Sequence, residues 1–322
     1  MAESAPAPIA GIHHITAICG DPQRNVDFYS GVLGLRLVKK TVNFDDPGTY
    51  HLYYGDALGS PGTIMTFFAW ILPPGVTARA RQGAGQITAT PFHIPRDSLD
   101  YWIDRLASAA VDFEGPHARF DEQVLALRDP DGLPLELVAR AGGATPAPWP
   151  EGPIPVEHAI RGFAGATLCS DGYERTAALL EGPLGFRSIG REGTRFRFQV
   201  GEGDEAALID LHCQPEGEPG RMGIGAVHHI AWRVRSDNDQ VLWREVLVEA
   251  GLDVTPVLDR QYFRSIYFRE PGGVLFEIAT DPPGFTFDES PAELGSQLKL
   301  PPWLEPRRER LMAILPPLRS AR

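Results

Sequence analysis

Apolar and polar residues alternate with a period of two in HHITAIC near the N-terminus, and again far down the chain in VHHIAWRV. Such alternation predicts strands. After the first, Asp21-Pro22 supplies an N-cap and an N1 proline. NVDFYSGVLG then reads as a helix with Val26, Phe28, Tyr29, Val32 and Leu33 on its apolar face, stopped by Gly34. RLVKKTV, TYHLYYGD and GTIMTFFAW read as three further strands. The last part of the chain follows the same plan: VHHIAWRV, the helix DNDQVLWREVLVEAGL, then strands DVTPVLD, YFRSIYF and GVLFEIA, the last two joined by EPGG.

Two middle blocks fit this unit. One runs through QITATPFHIP, SLDYWIDRLASAAV and EQVLALRDPDGLPLELVAR. The other runs through FAGATLCSD, YERTAALLEGPLGF, RFRFQV and AALIDLHC. GVLGL matches GPLGF between blocks one and three, and DPDGLPLE matches EPGGVLFE between blocks two and four. The repeat predicts an α+β fold of four βαβββ modules. The Pro/Gly-rich stretch AGGATPAPWPEGPIP marks the boundary between halves. The expected divisions are two modules at 9–140, a linker at 141–156, two modules at 157–284 and a tail at 285–322. Within the tail, LEPRRERLMAIL reads as a short amphipathic helix.

Composition narrows the function. The 322-residue chain carries a net charge of −12. That argues against nucleic acid as a partner and against charge-driven binding to an anionic membrane surface. No apolar run approaches the roughly 20 residues that a membrane span needs. The start, MAESAPAPIAG, has neither a basic nor an apolar signal-peptide region. Cys19, Cys169 and Cys213 form no disulfide or metal-site pattern and read as free thiols. A cytoplasmic enzyme is expected.

His14 and His229 occupy the same place in the first strands of blocks one and four, and Glu277 lies in the last strand of block four. Alternation sets Glu277 on the face opposite Phe276 and Ile278. Two imidazoles and one carboxylate form the 2-His-1-carboxylate set that holds Fe(II) with open positions. The matching position in block one is Thr66, so no fourth ligand is expected there. Glu136 matches Glu277 in the middle blocks, but QITAT and FAGAT carry no histidines. Glu136 and Asp210 therefore read as non-catalytic.

The repeated unit, the GIHHIT…VDFYSGVLGL opening and the GGVLFE ending resemble the vicinal oxygen chelate superfamily, over about Gly11 to Gly284. The resemblance implies paired modules forming two cupped sheets, with a divalent metal inside a cup. GIHHITAICGD, LVKKTVNFDD, YHLYYGD and GFTFDE are more narrowly similar to dioxygenases that open hydroquinones between carbons 1 and 2. It implies His14, His229 and Glu277 as ligands of Fe(II), with Mn(II) as the alternative, and an aromatic diol and O₂ as the small-molecule partners. If both histidines line one cup, block one pairs with block four.

The glyoxalase I branch uses four protein ligands, so Thr66 favours an oxygenase over an isomerase or thiol transferase. A metal-free ligand-sequestering protein is the remaining alternative, disfavoured by the complete ligand set. Around the ligands, Thr16 shares a strand face with His14. His13 and His228 alternate to the opposite face, where pattern alone assigns them to sheet packing unless twist or a bulge brings them near the site; the resemblance places them at its border. It also matches Arg260 to a substrate-bordering arginine. Tyr267 falls opposite Glu277 if the EPGG hairpin has a three-residue loop, and away from it with a two-residue loop. Assembly into a homo-oligomer is left open.

Overall fold

The computed structural model describes residues 5–73, 76–142, 148–203 and 206–319. Residues 143–147 of the expected linker lie outside them. Module one comprises β1 (Ile12–Cys19), α1 (Pro22–Val26), β2 (Arg36–Val42), β3 (Tyr50–Gly55) and β4 (Ile64–Ala69). Module two comprises β5 (Gln86–Pro95), α2 (Leu99–Ser108), β6 (Phe113–Arg119), β7 (Glu122–Arg128) and β8 (Pro134–Arg140). Module three holds β9 (Gly165–Ser170), α3 (Glu174–Glu181), β10 (Arg187–Glu192), β11 (Arg195–Val200) and β12 (Ala207–Cys213). Module four holds β13 (Val227–Val234), α4 (Asp237–Glu249), β14 (Leu258–Asp259), β15 (Arg264–Arg269) and β16 (Leu275–Thr280).

The modules combine across the two halves of the chain. One eight-stranded sheet runs β14-β15-β16-β13-β1-β4-β3-β2, the other β10-β11-β12-β9-β5-β8-β7-β6. Module one thus pairs with module four, and module two with module three. Each sheet draws on both sides of the linker, so the division at 141–156 separates stretches of chain and not sheets. Within each sheet the central strands are antiparallel (β1 with β13, β5 with β9), while β4 and β16 in the first and β8 and β12 in the second run parallel to their inner neighbours. This gives each sheet an approximate two-fold axis at its centre.

Local chemistry fixes the elements. The Asp21 carboxylate accepts from the backbone N–H of Gln23 (2.8 Å) and Arg24 (3.2 Å), capping α1 with Pro22 at its first position. The helix starts at Pro22, as the Asp21-Pro22 cap implies, and widens to a π-helical turn over Asp27–Val32. The widening brings adjacent Phe28 and Tyr29 into the core together. On module four, α4 lies on the sheet through Trp243 and Leu247, and buried Gln240 donates to the carbonyls of Arg264 and Ile278.

Three strands differ from the pattern. DVTPVLD forms only the two-residue β14, because Pro256 has no N–H to give a ladder. Thr255 instead ties to β15 through its backbone N–H on the Tyr267 carbonyl and its hydroxyl on the Tyr267 N–H, each 3.0 Å. Strands β6 and β10 are edge strands with almost wholly exposed side chains, so they carry no apolar alternation.

The tail closes over β2. Lys299 N–H donates to the Lys40 carbonyl, Asp288 and Glu289 hold the buried Lys39 ammonium, and helix α5 (Arg308–Ile314) buries Leu311. This covers an edge that would otherwise present open backbone groups. No helix among the described residues is long and apolar enough to cross a membrane.

Candidate metal centre

At the centre of the first sheet, the two His-His pairs sit in two β-bulges. Ile12 pairs with Trp232 and His14 with Ala231, leaving His13 as an extra residue; Thr16 pairs with His229 and Ala17 with Val227, leaving His228 extra. In a bulge two consecutive residues oppose one, and the strict alternation of faces is suspended. Both imidazoles of each pair therefore reach the same side: Nδ1 of His13 lies 2.9 Å from Nδ1 of His14, and Nδ1 of His228 lies 2.8 Å from Nδ1 of His229. The alternation argument that sent His13 and His228 to the opposite face fails at these bulges.

The two-fold relation brings His14 and His229 together, Nε2 to Nε2 at 3.3 Å. Glu277, on β16 beside Ala231, places Oε2 2.9 Å from His229 Nε2 and 3.3 Å from His14 Nε2. All three side chains are buried. Oε2 nonetheless has no hydrogen-bond partner, while Oε1 accepts from Ser265 Oγ at 2.5 Å. A buried, unsatisfied carboxylate oxygen is costly. Metal–ligand bonds of about 2.1 Å at right angles would space the donors about 3.0 Å apart, which the observed triangle matches. The donor set fits one divalent ion of the first transition row.

A metal on these donors would fix the ring tautomers. For His14 to offer a lone pair at Nε2, its Nδ1–H must donate to Nδ1 of His13. His13 would then carry its proton on Nε2. By the same logic His229 would donate to His228, leaving the Nε2–H of His228 for other partners. Burial pushes His13, His229 and His228 down, His228 to about 3, so these rings stay neutral.

The loop between β15 and β16 has the three-residue form. Glu270 and Val274 close it by a 3.0 Å backbone bond, and Gly273 takes φ 105°, which favours glycine. Tyr267 consequently pairs opposite Glu277, and its ring stands edge-on to His229 at 5.6 Å. Arg260 Nε donates to the Tyr267 hydroxyl at 3.3 Å, and its NH1 pairs with Asp45 at 3.0 Å. Burial and the Glu277 carboxylate push the Tyr267 phenol up. Thr16 is buried beside the ligands and accepts a 2.9 Å hydrogen bond from Thr66.

A cavity of about 400 Å³ opens over these groups, with His14, His228, His229, Arg260 and Tyr267 in its floor and walls. Phe68, Trp70, Phe263, Leu258 and Leu275 make much of the remaining surface apolar. A larger cleft of about 540 Å³, lined by Asp21, Arg79 and Asp131 but by no histidine, lies away from the three donors. The structure adds four residues to those singled out by sequence. Ser265 holds Glu277, Phe263 packs 5.0 Å from the His14 ring, and His51 and Tyr53 line the cavity from β3. Their only signal is position: Ser265 stands two residues before Tyr267, and His51 two before Tyr53, each pair on one strand face.

Among the described residues the second sheet has no such centre. Glu136 pairs with Arg119 at 2.8 Å, and Asp210 takes a two-pronged contact from Arg197 at 2.7 and 2.9 Å. Glu122 forms an ion pair with Arg197 at 2.9 Å, so this cup is filled by its own ion pairs.

With this geometry in place, the relatives can be compared. The family model for the Glyoxalase/Bleomycin resistance protein/Dioxygenase superfamily matches residues 11–137 and 162–278. The chain belongs to this superfamily. Within the superfamily it is 50% identical over 304 residues to "Putative ring-cleaving dioxygenase MhqO" of Bacillus subtilis (strain 168), covering 94% of each chain. It is 37% identical over 314 residues to the chlorohydroquinone/hydroquinone 1,2-dioxygenase of Sphingobium indicum, covering 95% of this chain and 96% of the other. A crystal structure of a Bacillus subtilis relative superimposes with a TM-score of 0.92 at 48% identity, over 97% of this chain and 98% of that one. Glyoxalase I from Zea mays shares the superfamily fold, with a TM-score of 0.60 at 18% identity over 84% of this chain and 92% of that one.

Proposed function

We propose that the protein is an Fe(II)-dependent ring-cleaving dioxygenase that opens a hydroquinone-type aromatic diol with O₂. The observation that carries this reading is the unpartnered, buried Oε2 of Glu277 converging with two imidazole Nε2 atoms under an apolar cavity. The relative named for hydroquinone 1,2-cleavage supports the substrate class. Fe(II), or Mn(II) on the same donors, would be held by His14, His229 and Glu277, and when bound it supplies open positions for substrate and O₂ together with a route for electrons.

The chain's own residues account for orientation. The hydroxyls of a hydroquinone are para, so only one can reach the three donors, and the other needs a protein partner. The hydrophobic surface of Phe68, Trp70, Leu258 and Leu275 receives the ring and excludes water. Arg260, cationic and paired with Asp45, stabilises developing negative charge on a ring oxygen. The Tyr267 phenol stays protonated and donates. His228, neutral and with its proton on Nε2, donates from the opposite wall. His13 acts at one remove, fixing the tautomer of His14, and Thr16 supplies a hydroxyl beside the ligands.

The test is to load the purified protein with iron under anaerobic conditions and follow O₂ uptake with hydroquinone and with catechol. Hydroquinone-dependent uptake that vanishes on iron removal is expected. Full uptake by metal-free protein would refute the reading.

A further inference from the structure

We infer that His51 occupies the place of a fourth metal-ligating carboxylate and keeps that side of the centre free of protein. The inference rests on the metal reading above. It starts from the two-fold axis of the first sheet, which relates His14 to His229. Thr16 pairs with Thr66 on β4, and Ala231 pairs with Glu277 on β16, each two residues beyond a ligating histidine. Thr66 is thus the counterpart of Glu277. Tyr53 pairs opposite Thr66 and Tyr267 opposite Glu277, so the tyrosines correspond, and so do His51 and Ser265, each two residues earlier.

The two sides match position for position. In module four, Ser265 Oγ donates to Glu277 Oε1 at 2.5 Å, with Tyr267 two residues on and opposite Glu277. In module one, Tyr53 bonds His51 Nδ1 at 2.9 Å, and His51 Nε2 bonds Thr66 at 2.8 Å. The side-chain lengths are exchanged: a short hydroxyl supports a long carboxylate on one side, and a long imidazole supports a short hydroxyl on the other. The imidazole takes the volume that a carboxylate at position 66 would need. It is not itself a ligand, because both ring nitrogens are engaged. Thr66 donates its proton to Thr16 Oγ1 at 2.9 Å, so it accepts from His51 Nε2–H, and Nδ1 accepts the Tyr53 proton.

Metal binding distinguishes this from a role in packing alone. The probe is Mn(II), its dissociation constant measured by titration and its bound waters counted by water-proton relaxation. Thr66→Glu alone should leave the water count unchanged and the affinity within about threefold, because the imidazole blocks the carboxylate. His51→Ser combined with Thr66→Glu should remove one water and tighten binding roughly tenfold, as an added anionic ligand does. His51→Ala with Thr66→Glu gives the same test without a new hydroxyl. Loss of a water in Thr66→Glu alone, or in neither double variant, would overturn the inference. Failure of the wild type to bind Mn(II), or unchanged binding in Glu277→Gln, would instead sink the metal reading itself.

Discussion

His14 and His229 meet at 3.3 Å, Nε2 to Nε2, although the pairs that contain them lie on strands contributed by opposite halves of the chain. Their meeting depends on the antiparallel β1–β13 ladder, the one set of backbone bonds that joins module one to module four at the sheet centre. Replacing either with Ala should therefore lower iron affinity at least ~100-fold, because two donors remain of three. Iron content by plasma mass spectrometry checks this, with circular dichroism to show that the fold persists. Retention of full iron by His14→Ala would contradict a shared site.

The bulged histidines should matter for a different reason. His13 and His228 hold no metal but set which nitrogen of the neighbouring ring carries the proton. His13→Ala should weaken iron binding by roughly 10–100-fold, as loss of such an outer partner typically does. Competition against a chelator measures it. An unchanged affinity would mean that the Nδ1 contact does not select the tautomer.

Tyr267→Phe removes one hydroxyl that contacts Arg260. Iron content should stay at the wild-type level. Hydroquinone turnover should fall by ~10²–10⁴-fold if the phenol moves or supplies a proton. Catechol, which can bind through two adjacent oxygens, should lose less if it reacts at all. Steady-state O₂ uptake with both diols gives the ratio, and equal losses would remove the argument from para geometry.

A titration prediction concerns the fold. Asp129 is buried in the turn before β8, accepts from the Asp131 and Leu133 N–H groups and the Tyr29 hydroxyl, and burial raises its pKa from 3.8 to about 6. A carboxyl with a raised folded-state pKa favours folding when protonated, so its contribution to stability rises as pH falls from about 7 toward 4. Asp129→Asn should abolish this slope. Urea denaturation of both proteins at pH 7.5 and 5 checks it: the variant should gain relative to wild type at the higher pH, and a pH-independent difference would count against the buried charge.

Much of this was legible in the sequence. The repeated period, the matched histidines and Glu277 mark the modules and the ligand set, because strand alternation and turn residues are local signals. The pairing of module one with module four followed only from asking the histidines to share a cup. The bulges could not be located from sequence, since an extra residue in a ladder depends on the partner strand's register, and so alternation alone misplaced His13 and His228. Edge strands β6 and β10 have too little buried surface to leave an apolar pattern. His51 looked like any strand residue until β4 brought Thr66 against it.

The central claim is oxygen incorporation at an iron held by His14, His229 and Glu277. It is tested most directly by supplying ¹⁸O₂ to the iron-loaded protein with hydroquinone and weighing the product by mass spectrometry. The account predicts a ring-opened product containing both atoms of one O₂, formed by wild type and absent with Glu277→Gln. A product without ¹⁸O, or one formed equally well by Glu277→Gln, would contradict it.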